Sequence, residues 1–311
     1  VGALLLDFVL ADPWEWFHPV QAMGWAIAQG QTLILRYCPQ PWQQQVGGAI
    51  LTSILVGVSY SYAAIAIELA SRWHTWAGTA VHILLLASCL GAKSLRLAAL
   101  SVLAPLERGD WMEARQQLSR YVGRDTSALD EVEICRALVE TVAENTPDGA
   151  TAPLFYGLIG GAPLAFAYKA ISTLDSMVGY RHPPFTHLGR FPARLEDALT
   201  WLPCRLTVLT LALWSDRPLL FWRRCQQDAR KDPSPNSGWS EAAFAWQLGI
   251  RLGGSNVYRG IPTVKPFLGV VQRPLTSAVV LAALGWLRQV LATWIAAIAL
   301  LYGILLLPSY L

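Results

Sequence analysis

At 311 residues the chain is long enough for one large or two ordinary domains, yet only 14% of it is charged, against about 25% in soluble proteins, and 54% is hydrophobic. With a mean hydropathy of +0.36 and fourteen tryptophans beside ten tyrosines and nine phenylalanines, the composition excludes a soluble globule, a disordered chain and a small disulfide scaffold. The net charge of +3 is too small to imply a nucleic-acid partner.

The first ten residues are apolar but carry Asp7, too short a run to cross a bilayer alone and without the basic start of a signal peptide. The expectation is a partial or interfacial insertion that delivers a carboxylate to a site. Residues 37–67 then hold no Asp, Glu, Lys or Arg, enough to span the roughly 30 Å of hydrocarbon. Further apolar runs predict membrane segments at 46–69, 77–100, 151–173 and 277–307, with a weaker one at 199–215. The predicted fold is an all-α, polytopic helical membrane protein with about four or five membrane segments and helical polar segments between them. It reads as a single integral membrane domain over 1–311, with polar helical insertions at about 104–150 and 216–265. The first insertion holds ten acids and five arginines, the second eight basic and four acidic residues. The segments 232–238 (DPSPNSG) and 252–256 (LGGSN) read as turns.

Four polar clusters stand out in so apolar a chain. Asp7, Asp12 and His18 form the first. Glu140, Glu144-Asn145 and Asp148 form the second, with the acids at helical spacing of four, although Pro147 interrupts the last step. Stacked carboxylates repel unless a cation lies between them, and Mg²⁺ favours carboxylate oxygens shared with nucleotide phosphates. A solvated helix face is the plain alternative. The third cluster is Lys169, Asp175 and Arg181 around a Gly-Tyr turn, where charge at a membrane boundary must snorkel, pair or function. The fourth is Arg230 and Lys231 before Ser234, Asn236 and Ser237, followed by Asn256 and Tyr258. Its hydroxyls, amides and glycines suit phosphate, or simply a pair of well-capped turns. The five cysteines form no CxxC, no histidine pattern marks zinc, and no GxSxG nucleophile motif occurs.

Long strings carry a resemblance: DFVLADPWEWFHPVQAMG at 7–24, ENTPDGATAPLFYGLIGGAPLAFAYKAISTLDSMVGYR at 144–181, ARLEDALTWLPCRLT at 193–207 and DARKDPSPNSGWSEAAFAWQLGIRLGGSNVYRG at 228–260. In their order and character they resemble the adenosylcobinamide-phosphate synthases, membrane proteins of cobalamin biosynthesis. Thr146-Pro147 and Ser255 depart from that family's usual pattern, but neither change removes a charged group.

The resemblance implies joining of adenosylcobyric acid to (R)-1-aminopropan-2-ol O-phosphate by an amide bond, with ATP and Mg²⁺ activating the corrin propionate as an acyl phosphate. On that reading Glu140, Glu144 and Asp148 hold the Mg²⁺ on ATP, Asn145 positions an oxygen, Lys169 and Arg181 offset phosphate charge, and Asp175 orients one of them or binds a second metal. Arg230, Lys231, Ser234, Asn236 and Ser237, with Asn256 and Tyr258, contact phosphate or substrate, while Asp7, Asp12 and His18 line the corrin or amine side. The expected partners are the two substrates, the lipid bilayer and later enzymes of the corrinoid pathway. The implied location is the inner (cytoplasmic) membrane of a bacterium or archaeon, with the active site facing the cytoplasm. A transporter or substrate-handover protein and a membrane scaffold are the competing classes; a transporter would place its charges near mid-membrane, whereas most special residues here fall at or beyond the span ends.

Overall fold

A computed structural model describes residues 2–9 and 19–306. The chain divides into two compact units, interleaved in sequence. One is built from Ala92–Pro147 and Cys204–Leu311, the other from Gly2–Gly91 and Asp148–Pro203.

The second of these units contains α1 (Gly2–Val9), α2 (Pro19–Tyr37), α3 (Pro41–Trp73), α4 (Thr75–Cys89) and α8 (Ala152–Val178). Pro41 opens α3, where its missing N–H costs nothing. His74 both ends α3, its N–H donating to Ala70 O, and caps α4, its Nδ1 accepting from Trp76 N. Trp42 and Trp73 stand exposed near opposite ends of α3, about 46 Å apart at 1.5 Å per residue, close to the full thickness of a bilayer with its headgroups. Between them Ile50, Ile54, Val58 and Ile65 are also exposed, whereas Gly48, Thr52, Ser59 and Ala63 are buried. That division suits a helix whose small-residue face packs on protein and whose apolar face meets lipid. A β-carbon at Gly48 would collide with the Leu188 carbonyl oxygen. The core of the unit joins Ile27, Ala63, Cys89, Phe166, Leu174 and Val178. α8 kinks at Gly160-Gly161, ahead of Pro163, and the Ala162 N–H near the kink donates to His82 Nε2 at 3.3 Å.

The other unit holds α5 (Ala92–Glu107), α6 (Trp111–Leu118), α7 (Glu131–Thr146), α10 (Pro218–Ala229), α11 (Ser237–Leu248) and α12 (Ser277–Leu306). Asp110 and Asp130 cap α6 and α7, each accepting an N–H from the glutamate three residues on. α7 packs against α11 and α12. An antiparallel hairpin, β1 (Arg251–Tyr258) and β2 (Ile261–Gly269), lies against α11. α9 (Arg190–Leu213) runs from one unit into the other.

Four helical stretches are long and apolar enough to cross a membrane: Pro41–Trp73, Thr75–Glu107, Glu131–Val178 and Ser277–Leu301. They include the four stronger segments of the sequence reading, and the helical membrane class holds. The weaker segment at 199–215 does not qualify, because α9 carries Arg194, Glu196, Asp197 and Arg205 along its length. Two local expectations are corrected. LGGSN is not a turn but most of β1, with a bulge between Leu252 and Gly254. Gly253 and Gly254 adopt φ of +83° and +102°, and a β-carbon at Gly253 would strike the Pro266 carbonyl. Pro147 does not end the acidic helix either: a π-turn over Pro147–Thr151 carries it on into α8. The wider turn breaks the four-residue register between Glu144 and Asp148.

Candidate functional site

The densest polar cluster lies within the first unit, where α7 meets β1 at its register shift against β2. Glu140 is fully committed there. Its Oε2 accepts from Arg124 Nη2, and its Oε1 accepts from Arg136 Nη1 at 2.9 Å and from the Gly253 N–H at 3.0 Å. The same two guanidiniums converge on Asn256 Oδ1, each at 2.8 Å, and Arg136 also donates to Glu133 and to the Ser255 carbonyl. All four groups, Arg124, Arg136, Glu140 and Asn256, are buried. The bulge is what turns the Gly253 N–H towards the carboxylate. Asp125 fastens the far end of the hairpin, accepting the Arg259 and Gly260 N–H groups at 3.2 and 2.8 Å.

One helical turn beyond Glu140, Glu144 is exposed, and the charges around it are Lys265, Glu140, Asp232 and Arg124. Lys265 Nζ donates to Glu241 Oε1 at 3.3 Å. Glu241 is wholly buried, and its Oε2, together with Asn256 Nδ2, has no hydrogen-bond partner. Buried polar atoms left unsatisfied are rare and mark places where a fold serves something other than stability. Burial pushes the Glu241 carboxyl up to about 8; Lys265 pulls it down, but Glu144, Glu140 and Asp232 reinforce the rise. Lys265 is raised, its acidic neighbours outweighing burial, so it stays charged throughout the range in which Glu241 titrates.

Because the folded protein retains the Glu241 proton well above the ordinary carboxyl value of about 4.3, this group's stabilising contribution is full below that value and is lost as pH rises through about 8. The unfolding temperature in nanodiscs is therefore expected to fall across this window, and Glu241→Gln to flatten the fall. An unchanged profile in the variant would place the titration elsewhere.

The remaining sequence-derived residues fall into three groups. In the first unit, the 232–238 loop is held by its own hydrogen bonds: Asp232 Oδ1 accepts the Ser234 N–H, and Ser234 Oγ accepts those of Asn236 and Ser237. Asn236 Oδ1 accepts from Arg205, whose guanidinium also lies 4.9 Å from the Trp239 ring centre. Lys231 pairs with Asp228, Arg230 is exposed, and Tyr258 is half-buried near the hairpin tip. This loop is therefore at least the well-capped turn of the plain alternative. In the second unit lie Asp148, Lys169, Asp175 and Arg181. There Glu196 is buried and accepts from Thr200 Oγ1 and, at 3.4 Å, from Tyr168 Oη. Burial pushes Glu196 up to about 7, with Asp175 and Asp197 adding to the rise against its hydrogen bonds from Thr200 and Tyr168. Asn145 donates to the Thr141 carbonyl. Asp12, His18 and the Asp7 side chain lie outside the described residues.

Of the acids expected to hold metal, Glu140 already accepts three hydrogen bonds, one on Oε2 from Arg124 and two on Oε1 from Arg136 and the Gly253 N–H. Among the described residues no three His, Cys, Asp or Glu side chains are grouped to hold a metal ion. Sequence reasoning missed Arg124, Arg136, Glu241 and Lys265. Arg136 had a signal, lying four residues before Glu140 on one helix face. Lys265 had another, as one of only four lysines.

Comparison with known proteins adds three findings. The profile of the family described as "CobD/Cbib protein" matches residues 1–287. A Synechocystis protein named cobalamin biosynthesis protein CobD is 48% identical over 296 residues, 93% of this chain and 86% of that protein. The Salmonella typhi cobalamin biosynthesis protein CbiB is 44% identical over 278 residues, 88% of this chain and 87% of that protein. No solved structure matches.

Proposed function

Because this chain belongs to the CobD/Cbib family, we propose that its part in cobalamin biosynthesis is an ATP-dependent amide ligation, joining adenosylcobyric acid to aminopropanol phosphate to give adenosylcobinamide phosphate. The observation that carries this reading is the polar cluster of the first unit, where the exposed Glu144 has Lys265 among the charges around it, next to a fixed lattice of arginine, carboxylate and amide.

A carboxylate and an amine do not condense unaided at neutral pH; bound Mg-ATP supplies the phosphoryl group that makes the corrin propionate reactive. Mg²⁺ commonly takes one or two protein carboxylates and completes its shell with water and phosphate oxygens. Glu144 fits that requirement without a preformed three-ligand cage, and Glu140 does not. Lys265 offsets phosphate charge beside Glu144. Arg124 and Arg136, held by Glu140 and Asn256, keep the cluster rigid, so that little reorganisation is needed as charge develops. Arg230 and Lys231, at the 232–238 loop, remain proposed contacts for a substrate phosphate. In the second unit, Lys169, Asp175 and Arg181 remain proposed contacts for the corrin or for phosphate.

The test is a mass-resolved ligation assay in nanodiscs with adenosylcobyric acid, aminopropanol phosphate and ATP, with and without Mg²⁺. The expected product is heavier than the corrin by the amine minus water and forms only with ATP and metal. Folded protein that binds the corrin but makes no product would overturn the ligase reading in favour of substrate handover.

A further inference from the structure

Away from the Glu140–Glu144 cluster, the first unit contains a cavity of about 510 Å³, within the range of roughly 300–1,000 Å³ typical of small-ligand sites. Its walls combine two indoles, Trp214 and Trp246, two guanidiniums, Arg217 and Arg224, and the amides of Gln247 and Gln272. The indoles are fixed. Trp214 Nε1 donates to Thr293 Oγ1 at 3.0 Å, and Trp246 Nε1 donates to Asp228 Oδ2 at 2.9 Å. The Arg224 guanidinium lies 4.6 Å from the Trp246 ring centre, and among the described residues neither it nor Arg217 makes an ion pair with a carboxylate, although Asp216 also lines the cavity. Two exposed guanidiniums, that of Arg224 held over an indole, outnumber the one lining carboxylate of Asp216 and form a receptor for an oxyanion, with forked donors that match phosphate.

The surroundings indicate where that phosphate comes from. Leu213, Leu219 and Leu220 are exposed beside the cavity, Leu219 to 80%, and α9 continues the exposed apolar surface through Leu209. A free nucleotide needs no such apron. A phospholipid does, because its acyl chains must lie along apolar side chains while its headgroup reaches the arginines.

We infer that this cavity binds the phosphate headgroup of an anionic membrane lipid, with Arg217 and Arg224 on the phosphate and the exposed leucines along the acyl chains. The test uses the full chain, delipidated in detergent and titrated with phosphatidylglycerol, phosphatidylcholine or free glycerol 3-phosphate, with bound ligand counted by native mass spectrometry. Phosphatidylglycerol is expected to be retained at least tenfold more strongly by the wild type than by R217Q/R224Q. R223Q, on the same helix but outside the cavity, is expected to retain it like the wild type. Both variants alter exposed side chains, so loss of the fold does not confuse the reading. Equal retention by wild type and R217Q/R224Q overturns the site, and equal loss in R223Q reduces it to general basic attraction. Glycerol 3-phosphate binding as tightly as the lipid overturns the lipid as its occupant.

Discussion

Glu140→Ala is expected to destabilise the first unit by about 3–5 kcal/mol, the range for removing one partner of a buried ion pair. The loss is large because one carboxylate answers three donors. Without it, Arg124 and Arg136 remain buried with Asn256 Oδ1 as their shared acceptor, and the Gly253 N–H of the bulge loses its partner. Glu140→Gln keeps an acceptor oxygen but not the charge, so a smaller cost of roughly 1–3 kcal/mol is expected. Thermal unfolding in nanodiscs, with limited proteolysis of the 251–269 hairpin, reads both. A Glu140→Ala protein as stable as wild type but inactive would return Glu140 to the role of metal ligand.

The second large effect is on chemistry. In the proposed ligation, Glu144→Gln is expected to lower the single-turnover rate by about 10²–10³, the range seen when one preorganised electrostatic contact to a transition state is removed. Stability should change by less than about 1 kcal/mol, because the side chain is exposed and makes no buried pair. The Mg²⁺ concentration needed for half-maximal rate should rise as well. An unchanged rate and metal requirement in folded protein would remove Glu144 from the site. The two glutamates are one turn apart on α7, so opposite outcomes, one structural and one chemical, separate their roles.

The contrast between Glu140 and Glu144 marks the limit of what spacing conveys. A four-residue interval places both on one face of α7, but it does not say what faces them. Their partners arrive from far along the chain: Arg124 and Asn256, which bond each other, are 132 residues apart. Lys265 and Glu241 came into view only when β2 paired with β1 and packed on α11. The bulge was hidden as well, because Gly-Gly beside Ser-Asn has the composition of a turn, and only pairing with Leu268, Lys265, Val264 and Thr263 makes it a strand.

What the sequence determined by itself was whatever depends on local composition: the uncharged runs that a bilayer requires, the helical spacing of Glu140 and Glu144, and the long strings that carry the family resemblance. Tertiary structure alone decided which acids are occupied and which are open. A carboxylate's chemistry is set by the donors and low-dielectric walls within a few ångströms of it, and those neighbours are supplied by the packing of distant segments.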